Sequence, residues 1–207
     1  MVSAVMGEAP TKEEVRAFWR ALRARHPRLR EALVADAKIT ALHRGERHEH
    51  RSSWDAVAQI LRLMWVSDAF LAQALYRLKA RLQALGVPIL PRIAHRLAMA
   101  TAQVSIGDPV VMAAGVYIVH GQVVIDGPVE IGEGAVISPW ITIGLRGTFQ
   151  GPVLERNVRV GTGAKIIGPV RIGEGAQIGA NAVVLEDVPS GETAVGVPAK
   201  SIPRSAE

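Results

Sequence analysis

The chain has 207 residues, of which 49% are hydrophobic and 21% are charged, with a formal net charge of +5 and no cysteine. This length allows one sizeable core or two small ones. The lack of cysteine excludes disulfides, thiol nucleophiles and cysteine-based zinc sites. The basic residues intermix with acids, few Tyr and Phe are present for base stacking, and no nucleic-acid motif occurs. We therefore expect no nucleic-acid partner.

The chain begins without the basic and apolar segments of a secretion signal. No stretch reaches the roughly 18 consecutive apolar residues that span a membrane. The sequence therefore predicts a cytoplasmic protein with no membrane partner.

The first half of the chain predicts helices. A capping-box pattern at residues 11–14 starts the first one, in which Val15, Phe18, Trp19 and Leu22 recur at helical spacing as core residues. It should end by residue 26, before Pro27. Further helices are expected at about 29–38 and 53–64.

The clearest helix is predicted from Asp68 to Leu85, with Ser67 as its cap and Gly86 at its exit. Apolar residues at helical spacing predict its buried face, namely Phe70, Leu71, Ala74, Leu75 and Leu78. A last helix, from Pro91 to Ala102, leads into the second half of the chain.

Histidines of the first half carry no clear metal pattern. The segment from His43 to His50 holds imidazoles and carboxylates, but their spacing matches no helix-face pair with a third ligand. We predict no metal site there, and we expect His95 to be a packed or surface histidine.

From residue 106 an aliphatic residue recurs every six positions, at Ile106, Met112, Ile118, Ile125, Ile131, Ile137, Ile143, Val160, Ile166, Ile172, Ile178 and Val184. This period fits a triangular coil of about eighteen residues with three short strands per turn, the aliphatic side chains pointing inward. The sequence therefore predicts an α+β chain, in which an N-terminal α-helical domain (1–102) precedes a left-handed parallel β-helix of hexapeptide repeats (103–200) and a short tail (201–207).

The register of the repeat breaks twice. One extra residue lies between Ile118 and Ile125, around His120-Gly121, and five extra residues lie between Ile143 and Val160, around residues 145–151. A break in a solenoid lets a loop leave without disturbing the core. Because His120 is the single histidine of the repeat region, the first break predicts a functional site.

The chain resembles the serine acetyltransferases from about residue 68 to residue 200. The likeness is carried by the runs Gly163-Ala164-Lys165-Ile166-Ile167-Gly168, Gly179 to Pro189 and Gly196-Val197-Pro198-Ala199-Lys200. The resemblance implies a homotrimer or a dimer of trimers that pair through their helical domains. It also implies that acetyl-CoA binds in a groove between neighbouring chains. It also implies that His120 is the catalytic base and that Gly144, Thr162, Ala180 and Lys200 contact the coenzyme.

The acceptor side departs from the family. The acidic partner of the histidine falls on Ser105, the acidic residue before the histidine falls on Val119, and the Arg-His pair that meets the serine carboxylate falls on Gln150-Gly151. Loss of such charged partners weakens discrimination for an amino acid. These four positions are therefore interpreted as acceptor-binding sites whose acceptor is left open. The family's C-terminal isoleucine tail is absent, so we expect no complex with the cysteine-synthesising enzyme.

The main hypothesis is therefore an acetyl-CoA-dependent O-acetyltransferase acting on a small hydroxyl acceptor. One alternative is a non-catalytic β-helix protein for binding or assembly, since the acidic partner of His120 is missing. Another is an acyltransferase with a different acceptor or a longer acyl donor, which the basic helical surface would suit.

Overall fold

The computed structural model describes residues 12–147 and 150–203, in which five helices precede a three-sided parallel β-helix. The predicted fold class is confirmed. The helices are α1 Lys12–Ala24, α2 Leu29–His43, α3 Ser53–Val66, α4 Asp68–Ala84 and α5 Leu90–Ala102. No helix within these residues is long and apolar enough to cross a membrane.

The helix ends follow local sequence signals. The Ser67 hydroxyl accepts a hydrogen bond from the Phe70 amide at 3.3 Å, which confirms the predicted cap of α4. Helix α2 runs five residues past its predicted end at residue 38, because no helix breaker occurs before Gly45, whose φ is 68°. The capping box predicted at Thr11 lies outside the described residues.

Two predicted buried faces are partly wrong. On α4, Leu78 is 39% exposed, while Gln73, Tyr76 and Lys79 are buried. The apolar pattern missed this face because it turns toward backbone carbonyl oxygens, which require hydrogen-bond donors. On α1, Leu22 is buried as predicted, but Phe18 is 46% exposed, because it lies at the rim of a groove between α1 and the β-helix.

Three sheets form the faces of the β-helix. The first face consists of β1 Val104–Ile106, β4 Val123–Ile125, β7 Thr142–Gly144, β10 Lys165–Ile167 and β13 Val183–Val184. The second face consists of β2 Val111–Met112, β5 Glu130–Ile131, β8 Val153–Leu154 and β11 Arg171–Ile172. The third face consists of β3 Tyr117–Ile118, β6 Val136–Ile137, β9 Arg159–Val160, β12 Gln177–Ile178, β14 Thr193–Gly196 and β15 Ala199–Ile202.

The strands pair in parallel from coil to coil, except that β15 pairs antiparallel with β14. This last strand continues to Ile202, two residues beyond the predicted end of the β-helix at residue 200. The division into domains at residues 102 and 200 stays a prediction.

The core of the prism is the aliphatic column that the six-residue period predicted. All twelve of those residues are at most 3% exposed. The structure adds Leu154, which is 1% exposed and pairs with Ile131 on the second face. The five-residue insertion therefore lies entirely between Ile143 and Leu154, as a loop that joins β7 to β8.

Helix α4 closes the first coil of the β-helix. Carbonyl oxygens at this edge have no preceding strand to bond, and side chains of α4 donate to them instead. Gln73 Nε2 lies 2.9 Å from the Val116 oxygen, and the Tyr76 hydroxyl lies 2.8 Å from the Val110 oxygen. Lys79 Nζ lies 2.6 Å from the Ile106 oxygen. Helix α4 is thus a cap on the solenoid.

Arg77 ties this cap to helix α2. Its guanidinium donates to the Met112 and Ala113 oxygens at 2.7 and 2.6 Å. It also meets both carboxylate oxygens of the buried Asp36, at 2.9 and 3.2 Å. Asp36 accepts from the Gly115 and Val116 amides in turn. One buried ion pair therefore joins α2, α4 and the edge of the first coil.

Candidate active site

His120 lies at an edge of the prism, between the end of β3 on the third face and the start of β4 on the first face. Its side chain is exposed. No hydrogen bond or ion pair joins it to any residue of the described part of this chain, so its imidazole is accessible for proton transfer.

The extra residue at this edge is accommodated by a tight turn. Gln122 adopts a left-handed conformation with φ of 58°, and its amide donates to the Ala102 oxygen at 3.0 Å. Gly121 crosses the same carbonyl so closely that an added Cβ would lie 1.9 Å from that oxygen. The end of α5 and the first break of the repeat therefore fix the backbone beside His120.

Two residues of the predicted donor site share this edge. At successive turns between the third and first faces, the amide that follows Thr162 donates to the Pro139 oxygen, and the amide that follows Ala180 donates to the Thr162 oxygen. Both are exposed. Because neighbouring coils are about 4.8 Å apart, Thr162 lies two coils and Ala180 three coils from His120 along the prism.

Other predicted site residues lie at a different edge. Gly144 ends β7, where the chain leaves the prism between the first and second faces as a loop whose described residues are 145–147 and 150–152. Gln150 and Gly151 belong to this loop and line a groove of 450 Å³ against α1. Leu145 is 40% exposed and lies over Gly127. Within one chain, this edge does not meet the edge of His120.

Ser105 lies on the first face, in register with Val124. It lines a pocket of 640 Å³ together with His95, Asp108 and Asp126, and His120 is not part of that lining. Burial is the main cause that lowers the pKa of His95. Val119 directly precedes His120 and is half-buried. Of the four predicted acceptor positions, the structure therefore places only Val119 beside the histidine.

Lys200 lies on β15, and its Nζ is 3.9 Å from Glu186. Both side chains are more than 70% exposed. The lysine is thus available to an anionic ligand at the C-terminal end of the prism. Among the residues that the structure describes, no group of three or more His, Cys, Asp or Glu side chains is arranged to hold a metal ion.

Sequence reasoning missed Trp140, which lies at the edge of His120 one coil further on. Its φ is 58° and its side chain is 59% exposed. In each coil, one residue turns the corner just before the strand of the first face begins. Trp140 is that residue in its coil, and Gly163 and Asn181 hold the same position in the next two coils. A tryptophan where the chain otherwise uses Gly, Asn or Gln was the signal that could have identified it.

The repeat region matches the family model described as bacterial transferase hexapeptide (six repeats) over residues 151–186. Two curated relatives are serine acetyltransferases. The protein from Helicobacter pylori strain J99 is 39% identical over 61% of this chain and 77% of its own length. The protein from Synechococcus elongatus is 36% identical over 70% of this chain and 61% of its own length. The chain thus spans about three fifths to three quarters of these relatives.

Among solved structures, the soybean serine acetyltransferase complexed with serine superposes with a TM-score of 0.71. The two are 27% identical, and the match covers 92% of this chain and 76% of the soybean chain. The match extends beyond the prism into the helices, so the arrangement of α-helices on a β-helix is common to both proteins.

Proposed function

This chain belongs to the serine acetyltransferase family, and from that premise we propose that it transfers an acetyl group from acetyl-CoA to a small hydroxyl acceptor, with His120 as the general base. The observation that carries the proposal is the exposed, unpaired imidazole at the first break of the repeat, on the same edge as Thr162 and Ala180.

The proposed reaction is a direct transfer. A neutral imidazole nitrogen of His120 accepts the proton of the acceptor hydroxyl as its oxygen attacks the thioester carbonyl carbon. The new C–O bond forms, the C–S bond breaks, and the coenzyme A thiolate leaves and takes up the proton from the imidazolium. Backbone amides or small side chains that line the groove stabilise the developing oxyanion.

We propose that each site is built by two chains. Thr162 and Ala180 line the donor groove from the edge of His120, whereas Gly144 lies at another edge of the same prism. A homotrimer, in which an edge of one prism faces a different edge of the next, would bring both edges to one groove. Lys200 adds a positive charge for the phosphates of the coenzyme.

Pairing of trimers is supported by an apolar stripe on α3. Trp54, Leu61 and Trp65 are 83%, 61% and 89% exposed and recur at helical spacing. An exposed apolar stripe of this size is typical of an interface. We propose that it packs against the same stripe of a second trimer.

The acceptor is proposed to be a hydroxyl compound other than a typical amino acid. Ser105, Val119, Gln150 and Gly151 carry no charge to pair with an ammonium or a carboxylate. Only Val119 adjoins His120 in one chain. A site without such partners loses much of its preference for a zwitterion.

The test is release of coenzyme A thiol from acetyl-CoA with serine, homoserine, sugar alcohols and amino sugars as acceptors. Wild type, His120→Ala and the control His48→Ala are compared. We expect turnover with at least one acceptor, a decrease in kcat of about 10²-fold or more in His120→Ala, and no change in His48→Ala. Equal turnover in all three proteins would remove His120 as the base. Binding of acetyl-CoA without turnover of any acceptor would favour the non-catalytic alternative.

A further inference from the structure

Trp140 combines an unusual backbone conformation with an exposed ring. Its φ of 58° lies in the left-handed region, which bulky residues rarely adopt. The other described non-glycine residues with positive φ are amides, namely Gln103, Gln122, Asn157 and Asn181. Strained conformations that persist in a folded protein concentrate at functional sites. Trp140 therefore calls for an explanation beyond the geometry of the corner.

The backbone of Trp140 lies one coil from the turn of the proposed base. Gln122, Trp140 and Gly163 occupy the same corner position in successive coils, so Trp140 follows the His120 turn by one coil, a rise of about 4.8 Å. Lys165 Nζ donates to the Trp140 oxygen at 2.6 Å. This bond anchors the backbone of the turn, while 59% of the indole side chain remains exposed at the edge of the prism.

Within this chain, the residues that adjoin the His120 turn in sequence or at the next corner are apolar. Val119 directly precedes His120, Val124 on β4 is 44% exposed, and Trp140 occupies the next corner. A zwitterionic acceptor would need charged partners here. A flat indole instead packs well against a compact ring that presents C–H groups.

We propose that Trp140 forms the wall of the acceptor subsite and that the acceptor is an uncharged ring alcohol of the pyranose class. The inference rests on the proposed acetyl transfer by His120 and names its substrate class. The indole positions the sugar ring so that one hydroxyl faces His120. Trp140 is thus a specificity-determining residue, and it takes no part in proton transfer.

The test compares wild type with Trp140→Asn, because Asn181 shows that asparagine fits this corner. Methyl α-D-glucopyranoside and L-serine are the two acceptors, and thiol release from acetyl-CoA is the assay. The control is Trp65→Asn, which removes another exposed indole. We expect wild type to prefer the glucoside. We expect Trp140→Asn to lower its kcat/KM about tenfold or more through KM, with the serine rate, the KM for acetyl-CoA and the Trp65→Asn kinetics unchanged.

Three results would overturn the inference: a wild-type preference for serine, a rise in the KM for acetyl-CoA in Trp140→Asn, and a smaller oligomer of this variant in light scattering. A raised KM for acetyl-CoA would mean that the indole contacts the donor, and a smaller oligomer would mean that it lies in the contact between chains. Quenching of tryptophan fluorescence by the glucoside separates this inference from the proposed function. Quenching in wild type but not in Trp140→Asn, without acetyl transfer, would refute the transfer and leave the subsite standing. Absence of both quenching and acetyl transfer would refute the subsite and the proposed function together.

Discussion

At Gly121 the chain has room for a hydrogen atom and nothing larger. An added Cβ would meet the Ala102 carbonyl oxygen at 1.9 Å, and that oxygen belongs to the backbone at the end of α5. The glycine therefore sets the path of the turn that presents His120. Sequence reasoning found this turn through the extra residue in the repeat, but it could not detect the close approach to α5.

Gly121→Ala should lower the free energy of unfolding by about 1–3 kcal/mol, because the backbone must shift to relieve the contact. It should also lower the rate of acetyl transfer, since His120 is the preceding residue. Urea denaturation and the thiol-release assay measure the two effects. The stability control is Gly144→Ala, whose added Cβ would lie 3.6 Å from the nearest backbone oxygen. Equal stability of the two variants would contradict this account of Gly121.

At the scale of elements, α4 shows why an apolar pattern alone misplaced a buried face. Its core-facing side carries Gln73, Tyr76, Arg77 and Lys79, which donate to carbonyl oxygens of the first coil. Burial raises the pKa of Tyr76 to about 12, so its hydroxyl stays neutral and keeps its hydrogen. Polar residues at helical spacing can thus mark the cap of a solenoid.

Arg77→Ala should destabilise the protein by about 3–5 kcal/mol, because it leaves the Asp36 carboxylate buried without its ion pair. Loss of the two bonds to the Met112 and Ala113 oxygens should also increase amide exchange in the first coil. Urea denaturation and hydrogen exchange measure these effects. Arg81→Ala, an exposed change on the same helix, should stay within about 0.5 kcal/mol of wild type. A similarly small effect of Arg77→Ala on stability would disprove that Arg77 holds α4 on the first coil.

His26, between α1 and α2, gives this cap a pH dependence. Burial, together with Arg77, Lys79 and Arg25, lowers its pKa from 6.5 to about 4. Between these two values the unfolded state binds a proton that the folded state does not, so stability should fall as the pH decreases from about 6.5 toward 4. In urea titrations His26→Gln should show a smaller decrease over this range than wild type, whereas His48→Gln should show the wild-type decrease. Parallel curves for His26→Gln and wild type would contradict the assignment.

At the scale of the whole molecule, the predicted site residues lie at two edges of one prism. His120, Thr162 and Ala180 share one edge, while Gly144 and Gln150 lie at another. No folding of a single prism can join two of its edges, since the core separates them. Light scattering should therefore give a mass that is a multiple of three times the 22.1 kDa chain.

Mixed oligomers test whether neighbouring chains share the site. His120→Ala chains and Gly144→Glu chains should each be inactive, the second because an acidic side chain enters the groove for an anionic donor. After unfolding and refolding together in equal amounts, they should regain about a quarter of wild-type activity, because that share of the sites combines two intact edges. The control is each variant refolded alone. Failure of the mixture to regain activity would place both residues in sites within one chain.

The sequence by itself determined the β-helix, its column of inward side chains and its two breaks, because a six-residue period follows directly from the geometry of a coil. It also predicted His120 as the base, since a single histidine coincided with one of the breaks, and this stays a prediction. Only the tertiary structure decided that polar residues of α4 cap the first coil, that Ser105 and His95 line one pocket, and that the Trp140 corner lies one coil beyond the His120 turn. These relations depend on which backbone oxygens lack a strand partner and on how consecutive corners stack, and both arise from contacts between residues that are distant in sequence.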